Sequence, residues 1–431
     1  MIANEGQSIH VYMDSPSVKA SLNVGALDIE HVKGHEVFTF QFSEEVLNHP
    51  HINLLFPNVA VGKGHFHLSN DENAALFKML TDSMPDRWGK VLLKKKRLIE
   101  VKEAGTGQRM PDLNDSDYLL QLSDQTRMGA FRFYNPETES YLGPDDQAIP
   151  PISRIQELQD ICRKVEDDDE VGSWLEQLIA PGTSLGGARP KANLINEKGV
   201  LCIAKFPSKN DEIDVGLWEF ITNRLAHQCN INVPDCDFNK FNSEYTTILC
   251  ERFDRNNRNN RNERIHFVSA MALTQHNDGD EAASYLEIVE VIKQHGQDAT
   301  VNLHELWRRI VFNIAVSNGD DHLRNHGMLL QAEGWVLTPA YDVTPGSGKS
   351  GYLKLNIDDT DNSADFELAL SSAEYFELDI TQAKAILKEV YDSVSQWETL
   401  AKRYSASQNE IDLMQSAFQT KALAEHIETN A

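Results

Sequence analysis

The sequence predicts an α+β protein of 431 residues: a small strand-rich N-terminal subdomain, then an αβ lobe, then a mainly helical lobe. Three observations predict it. Apolar residues alternate over residues 8–45, a glycine-broken stretch near 182–187 runs into two short strands, and helical spacing dominates beyond residue 280. The length exceeds the usual single-domain range, so more than one packed lobe is expected, with boundaries placed at 1–135, 136–255 and 256–431.

The elements follow in order. "EVFTFQF" puts Phe38, Phe40 and Phe42 on one side of a strand and Val37, Thr39 and Gln41 on the other. Leu76, Met79, Leu80 and Met84 then form a helical stripe that Pro85 ends or kinks. A strand is expected in "SDQTRMGAFRFYN", and residues 107–117 and "EDDDE" (166–170) read as surface loops. In the middle of the chain, Gly182, Gly186 and Gly187 precede "KANLI" and "GVLCIAKF", two strands around the turn "NEKG". The second strand ends at Lys205, and the following helix carries Glu219 near its start. "YTTILCERFDR" is a further buried strand, and "NNRNNRNER" a polar loop. Helices are expected over 284–295, 303–317, 372–395 and 408–427. No repeat of 20 to 50 residues is visible, which excludes solenoids and propellers.

Charge and cysteine usage narrow the function classes. With 40 basic against 66 acidic residues the net charge is −26, which repels a phosphate backbone over most of the surface. Contact with nucleic acid is therefore expected only through a partner, and the basic run "KVLLKKKR" reads as a solvated helix face. The five cysteines (162, 202, 229, 236, 250) form no CxxC pair and read as small core residues, without a disulfide framework or zinc site. No run of 18 apolar residues occurs and the N-terminus lacks a signal-peptide pattern, so a soluble, cytoplasmic protein with no membrane contact is expected.

The stretch "SNGDDHLRNHG" concentrates the chemistry. It follows a helix whose Leu303, Leu306, Trp307, Ile310, Val311 and Ile314 form one apolar stripe, so the acids and amides beyond Gly319 are held at the end of a core helix. Phosphoryl transfer needs a carboxylate to take the attacking hydroxyl's proton, oxygen ligands for magnesium, a cation on the nucleotide phosphates and a loop to cover them. The chain supplies each in order. Asp320 suits the base, Asn325 and Asp342 the magnesium ligands, and Lys205 the phosphate cation with Glu219 as its partner. The loop 182–187 lets backbone amides approach phosphates without a Cβ in the way.

Together "TSLGGARPKANL", "CIAKFP", "ERFDR", "SNGDDHLRNHG" and "LTPAYDV" resemble the HipA family of serine/threonine protein kinases, toxins of type II toxin-antitoxin modules. The resemblance covers nearly the whole chain, with "VYMD" to "LTDSMPDRWGK" similar to the family's N-terminal subdomain and 180 to about 400 similar to its kinase core. It implies a diverged protein-kinase-like two-lobe fold without the usual GxGxxG, HRD and DFG signatures. By position it implies Asp320 as catalytic aspartate, Asn325 and Asp342 on Mg2+, and Lys205 on ATP. It places Glu251, Arg252 and Phe253 at the hinge meeting adenine, with His322 and Tyr341 also in the ATP site. Gly186, Gly187, Ala188, Arg189 and Lys191 fall in the phosphate-binding loop, although the Arg189-Pro190 pair departs from some relatives. Ser184 matches the autophosphorylated serine, where a phosphate adds about two negative charges and ejects the loop. The implied partners are a HipB-like helix-turn-helix antitoxin, through which DNA is met indirectly, and a protein substrate such as an aminoacyl-tRNA synthetase.

Three rival readings stay open on sequence. A small-molecule phosphotransferase shares the aspartate, the asparagine five residues on and the later aspartate, but lacks the N-terminal "VYMD...MPDRWGK" region. A catalytically inactive kinase-like corepressor would bind an antitoxin-like partner without chemistry. A metal-dependent phosphoesterase would need more Asp/His clusters than "GDDHLRNH" offers, and "DDTDNSAD" supplies neither histidine nor a calcium-loop glycine.

Overall fold

Strands β1 (Gln7–Met13), β2 (Leu22–Val32) and β3 (His35–Phe42) carry the predicted alternation in the computed structural model. Ile9, Val11 and Met13 are buried on one face of β1, as are Phe38, Phe40 and Phe42 on β3, while Gln41 faces solvent. With β4 (Phe66–His67), β5 (Phe131–Asn135) and β6 (Ser140–Tyr141) they form a six-stranded antiparallel sheet in the order β4-β3-β2-β1-β5-β6. The structure describes residues 6–18, 21–68, 74–104, 112–143, 148–168, 175–179, 187–256, 262–280, 283–347 and 351–429.

Contacts divide the chain into two units, residues 1–209 with 254–268, and residues 210–253 with 269–431. The unit edges, at 209/210, 253/254 and 268/269, differ from the positions 135/136 and 255/256 expected from sequence. The position 135/136 falls in the turn of the β5–β6 hairpin, where Asn135 pairs with Ser140. Position 255/256 falls in a two-residue ladder, Arg255 opposite Arg264 and Asn256 opposite Glu263.

In the first unit the stripe Leu76, Met79, Leu80 and Met84 is buried, and the helix Ala74–Thr81 ends before Pro85, which precedes the next helix, Arg87–Ala104. Of the strand expected in "SDQTRMGAFRFYN" only Phe131–Asn135 forms. The preceding residues instead spend their carbonyls on buried guanidinium groups: Arg255 Nη2 donates to Gln125 O at 3.2 Å, and Arg264 Nη1 to Arg127 O at 3.4 Å and to Gly129 O at 3.3 Å. Main-chain carbonyls that point at a buried cation cannot also form a ladder. The returning segment closes on the same place, with Asp254 Oδ2 accepting the Gly129 N–H at 2.9 Å and Arg255 Nη2 donating to Arg127 O at 2.7 Å. β7 (Lys191–Ile195) and β8 (Leu201–Lys205) form the predicted hairpin, turned by Gly199 at φ +78°. Lys191 stands directly opposite Lys205.

In the second unit the helix Val215–Gln228 starts at Asp214, whose carboxylate accepts Leu217 N–H at 3.2 Å, Thr246 N–H at 2.8 Å and Thr246 Oγ1–H at 2.7 Å. β9 (Cys236–Asn239) and β10 (Thr247–Glu251) pair antiparallel with Cys236 opposite Cys250. These two cysteines form a disulfide, which corrects the reading of all five as separate core thiols; their Cα atoms are 4.1 Å apart because the strand register sets them face to face. Cys162, Cys202 and Cys229 are free and buried. The helix Tyr285–His295 matches its expected position, Ala299–Ala315 is offset toward the N-terminus from the expected 303–317, and Leu303, Leu306, Trp307, Ile310, Val311 and Ile314 are all buried. The helix expected over 372–395 is interrupted: Glu377 adopts a left-handed φ of 60°, and Asp379 opens a new helix, Ile380–Val394, with a reciprocal capping box to Gln382. The stretch expected over 408–427 likewise divides into Gln408–Met414 and Thr420–Thr429. No described helix is long and apolar enough to cross a membrane.

Candidate active site

The buried Ala299–Ala315 helix delivers the chain to a tight turn at which the positive φ belongs to Ser317 (52°). Asn318 N–H returns to Asn313 O at 2.9 Å, and Gly346 packs so closely on Ser317 O that a Cβ there would stand 2.4 Å from it. Asp320 follows, exposed. A short 3-10 turn, Leu323–Asn325, folds the chain back: Asn325 N–H donates to His322 O at 2.8 Å, and Asn325 Nδ2 to Asp320 O at 3.3 Å. With its amide nitrogen used on Asp320, buried Asn325 keeps its side-chain oxygen as the atom to offer a cation.

The next residue, Asp321, is the anchor of this loop. Its Oδ2 accepts from Asn313 Nδ2 at 2.9 Å, from His326 Nε2 at 2.8 Å and from the Tyr285 hydroxyl, and Asn313 in turn accepts from Asn318 Nδ2 at 3.0 Å. Burial pushes the Asp321 carboxyl upward, but the His326 ring beside it and the hydrogen bonds from His326 and Tyr285 outweigh burial and hold it below the ordinary carboxylate range. Tyr285 is driven the other way, well above its ordinary value, by burial first and then by the Asp321 charge. Asp321 is thus an ionised structural acceptor, leaving Asp320 as the carboxylate that reaches solvent.

Tyr341 lies against the same loop, and Asp342 follows it in the chain. The Tyr341 hydroxyl donates to Arg324 O at 2.6 Å, and its ring packs on Phe253 with centroids 5.1 Å apart and planes tilted by 32°. Asp342 holds φ at 58°, a left-handed conformation that aspartate tolerates better than most side chains and that is concentrated at functional sites. A cavity of about 10 Å³, the room of a single water, is lined by residues including Asn313, Asp321, Asn325, His326, Tyr341 and Val343.

The second unit carries Asp320, His322, Asn325, Tyr341, Asp342 and Phe253, with the 320–325 loop joined to the Tyr341–Phe253 pair through Arg324 O; Glu251 and buried Arg252 precede Phe253, and Glu219 is buried in the Val215–Gln228 helix. The first unit carries Gly187, Ala188, Arg189, Lys191 and Lys205. Lys205 is buried at the end of β8. Lys191, assigned by resemblance to the phosphate loop, is committed elsewhere: its ammonium lies 3.0 Å from Asp86 Oδ2 and donates to Gly187 O at 2.7 Å. Gly182, Ser184 and Gly186 lie outside the described residues, as do 257–261 of the polar loop. Sequence reasoning passed over Tyr285, Asn313 and His326. His326 could have been suspected as a polar residue opening the apolar run "GMLL", whereas nothing local marks Tyr285, 36 residues before its partner.

The fold is a mixed α/β, kinase-like one, with acids and an amide presented by loops at the end of a core helix. Residues 183–397 match the family model described as the HipA-like C-terminal domain, and through that segment the chain belongs to the HipA family. Known proteins are similar to it. A "Putative kinase" of Haemophilus influenzae is 25% identical over 180 residues, a match covering 37% of this chain and 52% of that protein, so that the chain spans about half the length of that relative. The HipA chain of a Shewanella oneidensis toxin-antitoxin complex with HipB and operator DNA has the same fold, with a TM-score of 0.65, 16% identity and 97% of both chains covered.

Proposed function

We propose that this protein is an ATP- and magnesium-dependent serine/threonine protein kinase of the HipA type, which transfers the γ-phosphate to a protein hydroxyl and phosphorylates its own Ser184. The observation that carries the reading is the loop Asp320–Asn325. One carboxylate is exposed and the next is locked by three donors, so a single base is presented in a fixed place with an amide oxygen five residues on.

Asp320 accepts the proton of the attacking hydroxyl at its carboxylate. Asn325 and Asp342 supply hard oxygen donors, the set magnesium prefers when nucleotide phosphates and water complete its shell. When bound, the metal neutralises charge on the transferring phosphoryl oxygens. Lys205 holds the phosphates, the backbone around Gly187 covers them, and the Phe253–Tyr341 pair offers apolar surface beside the hinge for the base.

The partner reading rests on the Shewanella relative, whose complex contains HipB and operator DNA. Here a HipB-like antitoxin supplies the basic surface that a chain of net charge −26 lacks, and DNA is met through it. The protein is placed in the cytoplasm, and an aminoacyl-tRNA synthetase is the protein substrate carried over from the family resemblance.

Incubation with magnesium and labelled ATP, followed by mapping of the modified residue, tests the reading. Wild-type protein should label Ser184, Ser184→Ala should lose that label while still binding ATP, and Asp320→Asn should lose about two or more orders of magnitude in transfer. Undiminished transfer by Asp320→Asn would remove the assignment. Wild-type protein that binds ATP and an antitoxin but transfers nothing would instead be a corepressor.

A further inference from the structure

The stretch "MPDRWGK" has no part in the reaction as described, yet both carboxylate oxygens of its Asp86 are engaged. Oδ1 accepts the Gly89 N–H at 2.8 Å, near the start of the Arg87–Ala104 helix. Oδ2 stands 3.0 Å from Lys191 Nζ, in an ion pair whose side chains are 2% and 1% exposed. The same ammonium donates to Gly187 O at 2.7 Å. One cation therefore ties the exit of the glycine loop to a helix start 105 residues earlier in the chain.

Strand register explains why a carboxylate is needed there. Lys191 is directly opposite Lys205 across β7 and β8, so the two side chains leave the same face of the hairpin about 5 Å apart at Cβ, where like charges destabilise a pair. A buried ammonium without a counter-charge is costly as well.

We propose that Asp86 is a positioning residue for the phosphate-binding loop. By neutralising Lys191 and pinning it between the helix start and Gly187 O, it fixes where the loop leaves for β7 and assigns the two lysines different work. Lys191 holds the loop, and Lys205 meets the nucleotide phosphates. This deepens the kinase reading and rests on it for the role of Lys205.

The test uses full-length protein. Asp86→Asn keeps an acceptor for Gly89 N–H and removes the charge. Peptides spanning 187–195 should then exchange their amide hydrogens at least about tenfold faster, while those spanning 299–330 are unchanged. KM for ATP should rise about tenfold with kcat within about twofold, the signature of lost ground-state positioning. The double variant Asp86→Asn/Lys191→Gln, in which two neutral amides can pair, should restore both readings toward wild type, and it carries the test if the single variant does not fold. Unchanged exchange over 187–195 in Asp86→Asn overturns the proposal. So does a double variant with a higher KM than Asp86→Asn, because Lys191 would then be touching nucleotide. If wild-type protein binds no ATP, the kinase reading falls, and the exchange arm alone decides the tether.

Discussion

Asp321→Asn is the substitution that most directly tests how the loop is held. In the native protein three donors, from Tyr285, Asn313 and His326, converge on Oδ2 of one buried carboxylate. Asparagine keeps one acceptor oxygen but replaces the other with an NH2 and removes the charge. The three donors then meet a neutral amide oxygen, so each hydrogen bond falls from about 1.5–3 kcal/mol to about 0.5–1.5 kcal/mol, and a total near 3 kcal/mol is expected. Urea unfolding of both proteins at pH 7 measures it. The acid limb adds a second reading. Because the folded carboxyl lies below its unfolded value of about 3.9, its contribution is fully present above that value and is lost as pH falls through the lower folded pKa. Wild type should therefore lose this increment only below about pH 4, and Asp321→Asn, which has no carboxyl to titrate, should lack that part of the slope. A stability loss under about 1 kcal/mol, or identical acid limbs, would refute the view of Asp321 as an ionised hub.

Other outcomes are equally specific. Gly216→Ala would put a Cβ 2.3 Å from the Thr246 carbonyl oxygen, a backbone atom that cannot swing aside, so thermal melting should report about 1–3 kcal/mol of destabilisation. Denatured without reductant, the protein should take up three alkyl groups at Cys162, Cys202 and Cys229, and five after reduction; five without reductant would mean that the Cys236–Cys250 bridge is not formed. Tyr341→Phe removes the hydroxyl bond to Arg324 O and should cost about 1 kcal/mol in urea unfolding while the Phe253 contact remains, a loss absent if solvent already competes for that carbonyl.

The parts of the fold legible in the sequence were those written by periodicity. The phenylalanine face of β3 and the apolar stripe of the Ala299–Ala315 helix needed only local spacing, and both are buried as expected. Asp320 and Asn325 were legible because they share one loop, while Asp342 follows after one short hairpin. What escaped depended on groups distant in sequence. The Cys236–Cys250 bridge depends on strand register, which residue types alone do not specify. The break at Glu377 was invisible because the apolar spacing on either side reads as one helix, and only the Asp379–Gln382 capping box marks a second start. The left-handed conformation of the turn before Asp320 falls on Ser317, a residue type that does not announce it. The Asp321 hub combines side chains from two helices and a strand boundary, and its acid could not be told from the neighbouring Asp320 by residue type until burial separated them.

The six-stranded sheet of the first unit ends at both margins in strands of two residues, β4 and β6. A margin that short offers an incoming chain few free main-chain groups to align with, which discourages edge-to-edge aggregation. A protein that binds this sheet is left its faces and loops, so recognition there must be written in side chains and can be altered one residue at a time.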